Sequence, residues 1–273
     1  MDGPARRALK ANARRNAAGG FGRLWRWRST RAAAWALLDR HVPPGATVAV
    51  VGAGNGQDLP LRRLAHRAGR LDLIDLDEHA LSRTRRRLRL SGVRANTFTQ
   101  DVTHGAADAV LRQILSGRPR GATPSGGRVG QPPYDVVIAD QFLSQLLYPA
   151  LSDSDLPTRA VNAALRTYGQ SLTNAVVADL AAAAPGGVLI LVEDVLGWWD
   201  GHPQPFTLDE VLALTDPDEA LALVARGRTA RGADGRIALT AARAQVVDRA
   251  FWRWPFTSGT DYLVCATVAR CAL

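Results

Sequence analysis

The sequence predicts an α/β fold: a mostly parallel sheet of seven strands with helices on both faces, preceded by a helical extension. Three observations carry that expectation. From residue 46 onward, apolar runs of strand length alternate with longer stretches whose apolar residues recur at helical spacing. The first run ends in glycines at alternate positions, Gly52, Gly54 and Gly56. The second ends in an acid, Asp75, about twenty residues beyond them.

The chain opens with a basic, helix-prone segment, 1–40, in which Arg6, Arg7, Lys10, Arg14 and Arg15 precede a break at Gly19 and Gly20. Its first part is expected to be disordered, as untethered termini are. A helix follows over 29–41: Ala33, Leu37 and Leu38 share a face, Ser29 or Thr30 caps the start, and Pro43, Pro44 and Gly45 end it. Residues 1–45 are therefore read as an extension or lid on a domain spanning 46–273. Within that domain, strands are expected at 47–51, 71–74, 95–99, 134–139, 187–192, 246–254 and 262–269. Helices are expected at 58–68, 78–90 (with an arginine-rich outer face), 110–115, 141–147 and 157–184, and around 208–214 and 218–225. Residues 117–133, rich in Gly, Pro, Ser and Arg, read as a surface loop, and 198–207 as irregular.

A hydrophobic fraction of 47% over 273 residues suffices for a substantial core. No apolar run approaches the roughly 20 residues that cross a bilayer, and the arginine-rich start lacks an apolar signal core, so a cytoplasmic protein without a membrane partner is expected. Two cysteines, Cys265 and Cys271, make neither a disulfide scaffold nor a zinc site, and no metal is expected. A net charge of +9 raises the question of nucleic acid. Lys10 is the single lysine, however, and the excess of arginine and alanine reads as compositional bias, with no recognisable nucleic-acid module. Nucleic acid is therefore not the expected partner.

The motif with most chemical content is Val48-Ala-Val-Val-Gly52-Ala53-Gly54-Asn-Gly56-Gln-Asp58. A strand delivers the chain to glycines that let the backbone turn sharply and approach a ligand, and a helix N-terminus follows. Asp75, at the end of the second strand, can accept both hydroxyl hydrogen bonds of a ribose, while Asp77 and Glu78 suit the cap and first turn of the next helix. Asp101, after the third strand, can accept from an adenine amino group, with a neighbouring backbone amide available to a ring nitrogen. A nicotinamide-dependent dehydrogenase would usually show Gly-x-Gly-x-x-Gly, whereas here Gly56-Gln57 is followed by Asp58, which disfavours that reading.

Taken together, the glycine loop, Asp75, Asp101 and Tyr134-Asp-Val-Val-Ile-Ala-Asp140 resemble the first four motifs of the class I S-adenosylmethionine (SAM)-dependent methyltransferases. The runs 246–254 and 262–269 are similar to that family's antiparallel closing hairpin. The likeness extends from residue 46 to the C-terminus, and in detail it resembles a bacterial subgroup of unassigned substrate. It implies a Rossmann-like sheet with an antiparallel final strand. It also implies a SAM site: Gly52, Ala53, Gly54, Gly56 and Asp58 near the methionine portion, Asp75 and Leu76 at the ribose, Asp101 and Val102 at the adenine, and Asp140 or Gln141 near the sulfonium. S-adenosylhomocysteine (SAH) would be the product. Asp140 is not followed by the Pro-Pro-aromatic run of methyltransferases acting on nucleobase or glutamine nitrogens, and no metal cluster follows the fourth strand.

Asp140, His202 and Glu193 are the candidate proton-handling groups, on segments following the carboxyl ends of strands. Trp25, Trp27, Tyr148, Trp198 and Trp199 are candidate acceptor contacts, and Phe251, Trp252, Trp254 and Phe256 form a further aromatic cluster. The expected activity is methyl transfer to N or O of a small molecule or peptide, as in natural-product tailoring. The alternatives are an RNA or protein methyltransferase anchored by the basic N-terminus and a non-catalytic SAM-binding scaffold.

Overall fold

The structure, a computed structural model, describes residues 21–116, 126–229 and 233–273. The expected disorder of the first residues and most of the loop 117–133 lie outside the described residues.

The elements run α1 (Phe21–Arg26), α2 (Arg28–His41), β1 (Thr47–Val51), α3 (Leu61–Arg67), β2 (Arg70–Asp75), α4 (Glu78–Leu90), β3 (Asn96–Thr99), α5 (Ala106–Ser116) and β4 (Val136–Asp140). A 3-10 turn at Leu143–Gln145 leads to α6 (Tyr148–Ser152), α7 (Thr158–Ala182), β5 (Val188–Trp199), α8 (Leu208–Leu212), α9 (Pro217–Val224), α10 (Gly235–Ala241), β6 (Gln245–Thr257) and β7 (Thr260–Arg270). Seven strands form one sheet in the order β3-β2-β1-β4-β5-β7-β6. The first five are parallel, and β7 runs antiparallel to both β5 and β6. This is the Rossmann-like sheet with an antiparallel final strand that the sequence predicts.

Four local departures have physical reasons. The helix expected from residue 58 starts at Leu61, because Pro60 biases the residue before it away from helical geometry. β5 runs on past residue 192 to Trp199 with a bulge at Asp194/Leu196: the β7 ladder continues although Glu193 and Asp194 interrupt the apolar pattern. The 141–147 stretch is one 3-10 turn rather than a helix, with α6 following it. The helix α10 went unpredicted; it begins with glycine and is stabilised by Asp234, whose carboxylate accepts from Arg236 N at 2.9 Å.

The sheet buries both faces. On one, α2, α3 and α4 contribute Leu37, Leu38, Leu64 and Leu81 to a core shared with Val48, Val50 and Leu73. On the other, α7 and α10 contribute Val176, Val177, Leu180 and Leu239 against Val137, Leu189 and Leu191. The extension is thus part of the packing: Trp27, Ala34 and Leu38 share a core with Trp252, Trp254 and Val264, and Trp27 Nε1 donates to Pro255 O at 2.9 Å. No helix among the described residues is long and apolar enough to cross a membrane.

One buried polar cluster ties the second strand to the fourth. Asp72, fully buried in β2, accepts from Tyr134 Oη at 2.9 Å and from Asn96 Nδ2 at 2.7 Å, and Tyr134 Oη accepts from Gln131 N at 2.6 Å. Tyr134→Phe leaves a buried carboxylate and a backbone amide each short of a partner. It is expected to destabilise the fold by about 1–3 kcal/mol, read as a lower urea midpoint at unchanged slope. An unchanged midpoint would show the cluster to be energetically idle.

Candidate functional site

The direction of crossover reverses at β1, which has β2 on one side and β4 on the other. Open α/β sheets bind ligands in the crevice at such a point, beyond the carboxyl ends of the strands. A cavity of about 260 Å³ lies there, walled by the glycine loop, the ends of β2, β3 and β4, the start of α5, and Arg23, Trp27, Trp254 and Phe256.

The loop after β1 is held from several sides. Gly52 adopts φ +77°, and a Cβ on it would stand 2.7 Å from Asp140 O and 2.8 Å from Phe142 Cδ1, so glycine lets the ends of β1 and β4 meet. Gly54 N donates to Asp75 Oδ2 at 2.7 Å, Thr84 Oγ1 donates to Gly54 O at 3.0 Å, and Arg87 donates to Asn55 O and Gly56 O at 2.6 and 2.8 Å. Asp75 Oδ1 accepts from Asp77 N at 2.8 Å. Burial is the main cause that pushes the Asp75 carboxyl up to about 6, against the downward pull of those amides.

Asp58 and Asp140 face each other within hydrogen-bonding reach, and both titrate above the ordinary carboxylate range. Burial is the leading cause for each. For Asp140 the charges of Asp58 and then Asp75 add to it, while for Asp58 backbone amides and Arg31 oppose it. Arg31 is held by its own bond to Gln57 O at 2.6 Å. Gln141, next along, adopts φ +51° and buries its side chain, a backbone cost for a residue that carries a Cβ.

Asp101 does not present a free carboxylate. Its Oδ1 accepts from Thr103 N at 2.8 Å and Thr103 Oγ1 at 2.7 Å, and its Oδ2 from Gly105 N at 2.8 Å, bracing the turn into α5.

Two properties define what this cavity can hold. Five aspartates line it, Asp58, Asp75, Asp101, Asp108 and Asp140, against one basic residue, Arg23. In addition, the buried side-chain oxygens that lack a hydrogen-bond partner among the described residues are Gln57 Oε1, Asp108 Oδ1, Asp140 Oδ1 and Gln141 Oε1, and all four belong to residues of this wall. Buried acceptors without donors are rare in native proteins, and a cluster of them marks a place where a ligand brings the donors.

The structure gathers Gly52, Ala53, Gly54, Gly56, Asp58, Asp75, Leu76, Asp101, Val102, Asp140 and Gln141 around this one cavity. Of the aromatic candidates, Trp27 lines it, edge-on to Trp254 at 5.2 Å and stacked on Phe256 at 6.2 Å. The other acceptor and proton-handling candidates are not brought there. Trp25 is exposed beneath Arg28, and Tyr148 is exposed on α6. The extension of β5 carries Trp198 and Trp199 out to the tip of the β6–β7 hairpin, opposite Asp261 and Thr260. There Trp198 Nε1 donates to Phe206 O at 3.1 Å and Trp199 stacks on His202 at 4.0 Å. Glu193 lines a separate cavity with Arg236 and Cys265.

Arg23, Gln57, Asp108 and Phe142 are wall residues that sequence reasoning passed over. Arg23 sits in α1, six residues before the helix expected over 29–41, and nothing in its arginine-rich surroundings distinguishes it. Phe142 and Asp108 become wall residues only through the tight turn after β4 and the entry into α5.

No protein-family model and no curated protein matches the chain. Solved structures do. Magnesium protoporphyrin IX methyltransferase from Synechocystis PCC 6803, with bound SAH, is 18% identical, with 96% of this chain and 93% of that one covered at a TM-score of 0.48. The N-methyltransferase NodS from Bradyrhizobium japonicum WM9 is 12% identical over 90% and 96% of the two chains, with a TM-score of 0.49. A SAM-dependent methyltransferase from Methanosarcina mazei is 14% identical over 87% and 97%, also at 0.49.

Proposed function

We propose that this protein is a class I SAM-dependent methyltransferase that transfers a methyl group to N or O of a small molecule or peptide. The observation that carries the reading is the chemistry of the crevice. It is acid-rich, and its orphaned groups are four side-chain oxygens against one donor, Trp254 Nε1. A ligand suited to it is cationic and rich in donors. SAM has a sulfonium, an ammonium, two ribose hydroxyls and an adenine amine. A dinucleotide would bring a pyrophosphate to the same glycine loop, against Asp58 and Asp140, and like charges there repel.

The residues fit the cofactor in sequence along the cavity. Asp75 keeps lone pairs for ribose hydroxyls after accepting from Gly54 and Asp77. Asp58, Asp140 and Gln141 offer oxygens to the cationic methionine end, and Leu76 and Val102 offer apolar surface to the base. When bound, SAM supplies a methyl group already activated for transfer, so the protein's task is to align the acceptor, exclude water and take up a proton where the acceptor releases one. Asp140 is the candidate proton acceptor that lies in the wall. Trp27, Trp254 and Phe256 close the cavity's far side as the acceptor surface, with α1 and α2 acting as its lid.

The reading is tested by titrating the full chain calorimetrically with SAM, SAH and, as a control, NAD. Binding of the first two and no heat with NAD is the expected result; binding of NAD alone would overturn it.

A further inference from the structure

We propose that Asp108, rather than Asp101, is the residue that recognises the exocyclic amine of the cofactor's adenine, making it the base-specificity determinant of this site. The inference rests on the SAM reading above and adds to it a residue that the motif resemblance does not supply.

The resemblance assigns the adenine amine to Asp101, and the geometry makes that assignment poor. Three donors already hold the Asp101 carboxylate within its own turn, two from Thr103 on Oδ1 and one from Gly105 on Oδ2, leaving a ligand a single lone pair on Oδ2. Asp108 stands on the first turn of that helix, beside Ala107 in the same wall, and has the opposite character. It is 8% exposed, its Oδ1 meets no donor, and among the described residues it makes no ion pair. A first-turn acid stabilises its helix electrostatically, but a buried carboxylate oxygen without a donor still costs free energy. Burial raises the Asp108 carboxyl, the charge of Asp101 raises it further, and Arg112 offsets part of this. A buried carboxylate oxygen lacking a donor, in the wall that also holds Val102 and Leu76, is matched by an amine arriving with the base.

The 6-amino group of adenine donates, whereas the 6-oxo group of hypoxanthine accepts. A carboxylate partner therefore discriminates between SAH and S-inosylhomocysteine, and an amide partner can serve both. The experiment measures dissociation constants of both ligands for the full chain, Asp108→Asn, Asp108→Ala and Asp101→Asn, with circular dichroism checking that each variant is folded. Expected are a preference for SAH of about tenfold or more in the unaltered protein and its collapse in both Asp108 variants. Asp101→Asn is expected to weaken both ligands together and keep their ratio. A preference retained in a folded Asp108 variant, or lost in Asp101→Asn instead, overturns the proposal, as does its absence from the unaltered protein. If the unaltered protein binds neither ligand, the SAM reading itself fails, an outcome distinct from binding without discrimination.

Discussion

Asp75→Ala is expected to raise the dissociation constant for SAH by roughly 5- to 150-fold, the equivalent of about 1–3 kcal/mol. Two losses add. The ribose hydroxyls lose their acceptor, and Gly54 N loses the oxygen that holds it at 2.7 Å, so the loop contacting the ligand is released as well. Asp75→Asn keeps one acceptor oxygen and should lose less. The same carboxyl makes the ligand-free protein pH-sensitive. Its native value is about 6 against an ordinary 3.8, so the native state holds a proton that the unfolded state has released. Stability from this group is therefore fully present below pH 4 and falls as pH rises towards 6, by about 2–3 kcal/mol. Asp140, also raised by burial, has the same sign. Chemical denaturation across that window should show a decline that Asp75→Asn flattens. A parallel decline in the variant would assign the effect elsewhere, and an unchanged SAH constant in Asp75→Ala would remove the carboxylate from the ribose site.

Gly52→Ala is the second substitution with a large expected effect. A side chain at φ +77° costs about 1–2 kcal/mol by itself. The added Cβ would also sit 2.7 Å from Asp140 O, a backbone atom that cannot retreat without parting β4 from β1, and 2.8 Å from the Phe142 ring. Overpacking of this kind adds about 1–3 kcal/mol. Gly92→Ala is the matched control, because Gly92 has the same φ of +77° with nothing within 4 Å of its would-be Cβ. Thermal unfolding should show Gly52→Ala losing clearly more stability than Gly92→Ala, and SAH binding should be lost in the first and kept in the second. Equal losses would mean that crowding at the crevice is absent.

The fold was legible because its signals are local. Alternating strand and helix periods, the glycines after β1 and the acid at the end of β2 each act within one element, and each lies where the pattern places it. What sequence missed depends on pairing at a distance. β5 extends because β7 offers a ladder as far as Thr260, information carried by neither strand alone. That extension takes Trp198, Trp199 and His202 away from the crevice, while Trp254 and Phe256 reach it from β6. Asp101 and Asp108 differ in burial and in what their oxygens already hold, which depends on the turn through Thr103 and Gly105. A linear motif records that an acid is present and is silent on how many of its lone pairs are already engaged.

A crystal structure grown with SAH tests the central claim most directly. An adenosyl ligand is expected across the carboxyl ends of β1 and β4, with ribose hydroxyls within hydrogen-bonding distance of Asp75 and the homocysteine end beside Asp58 and Asp140. Ligand density at another place on the protein, with this crevice filled only by water, would contradict it.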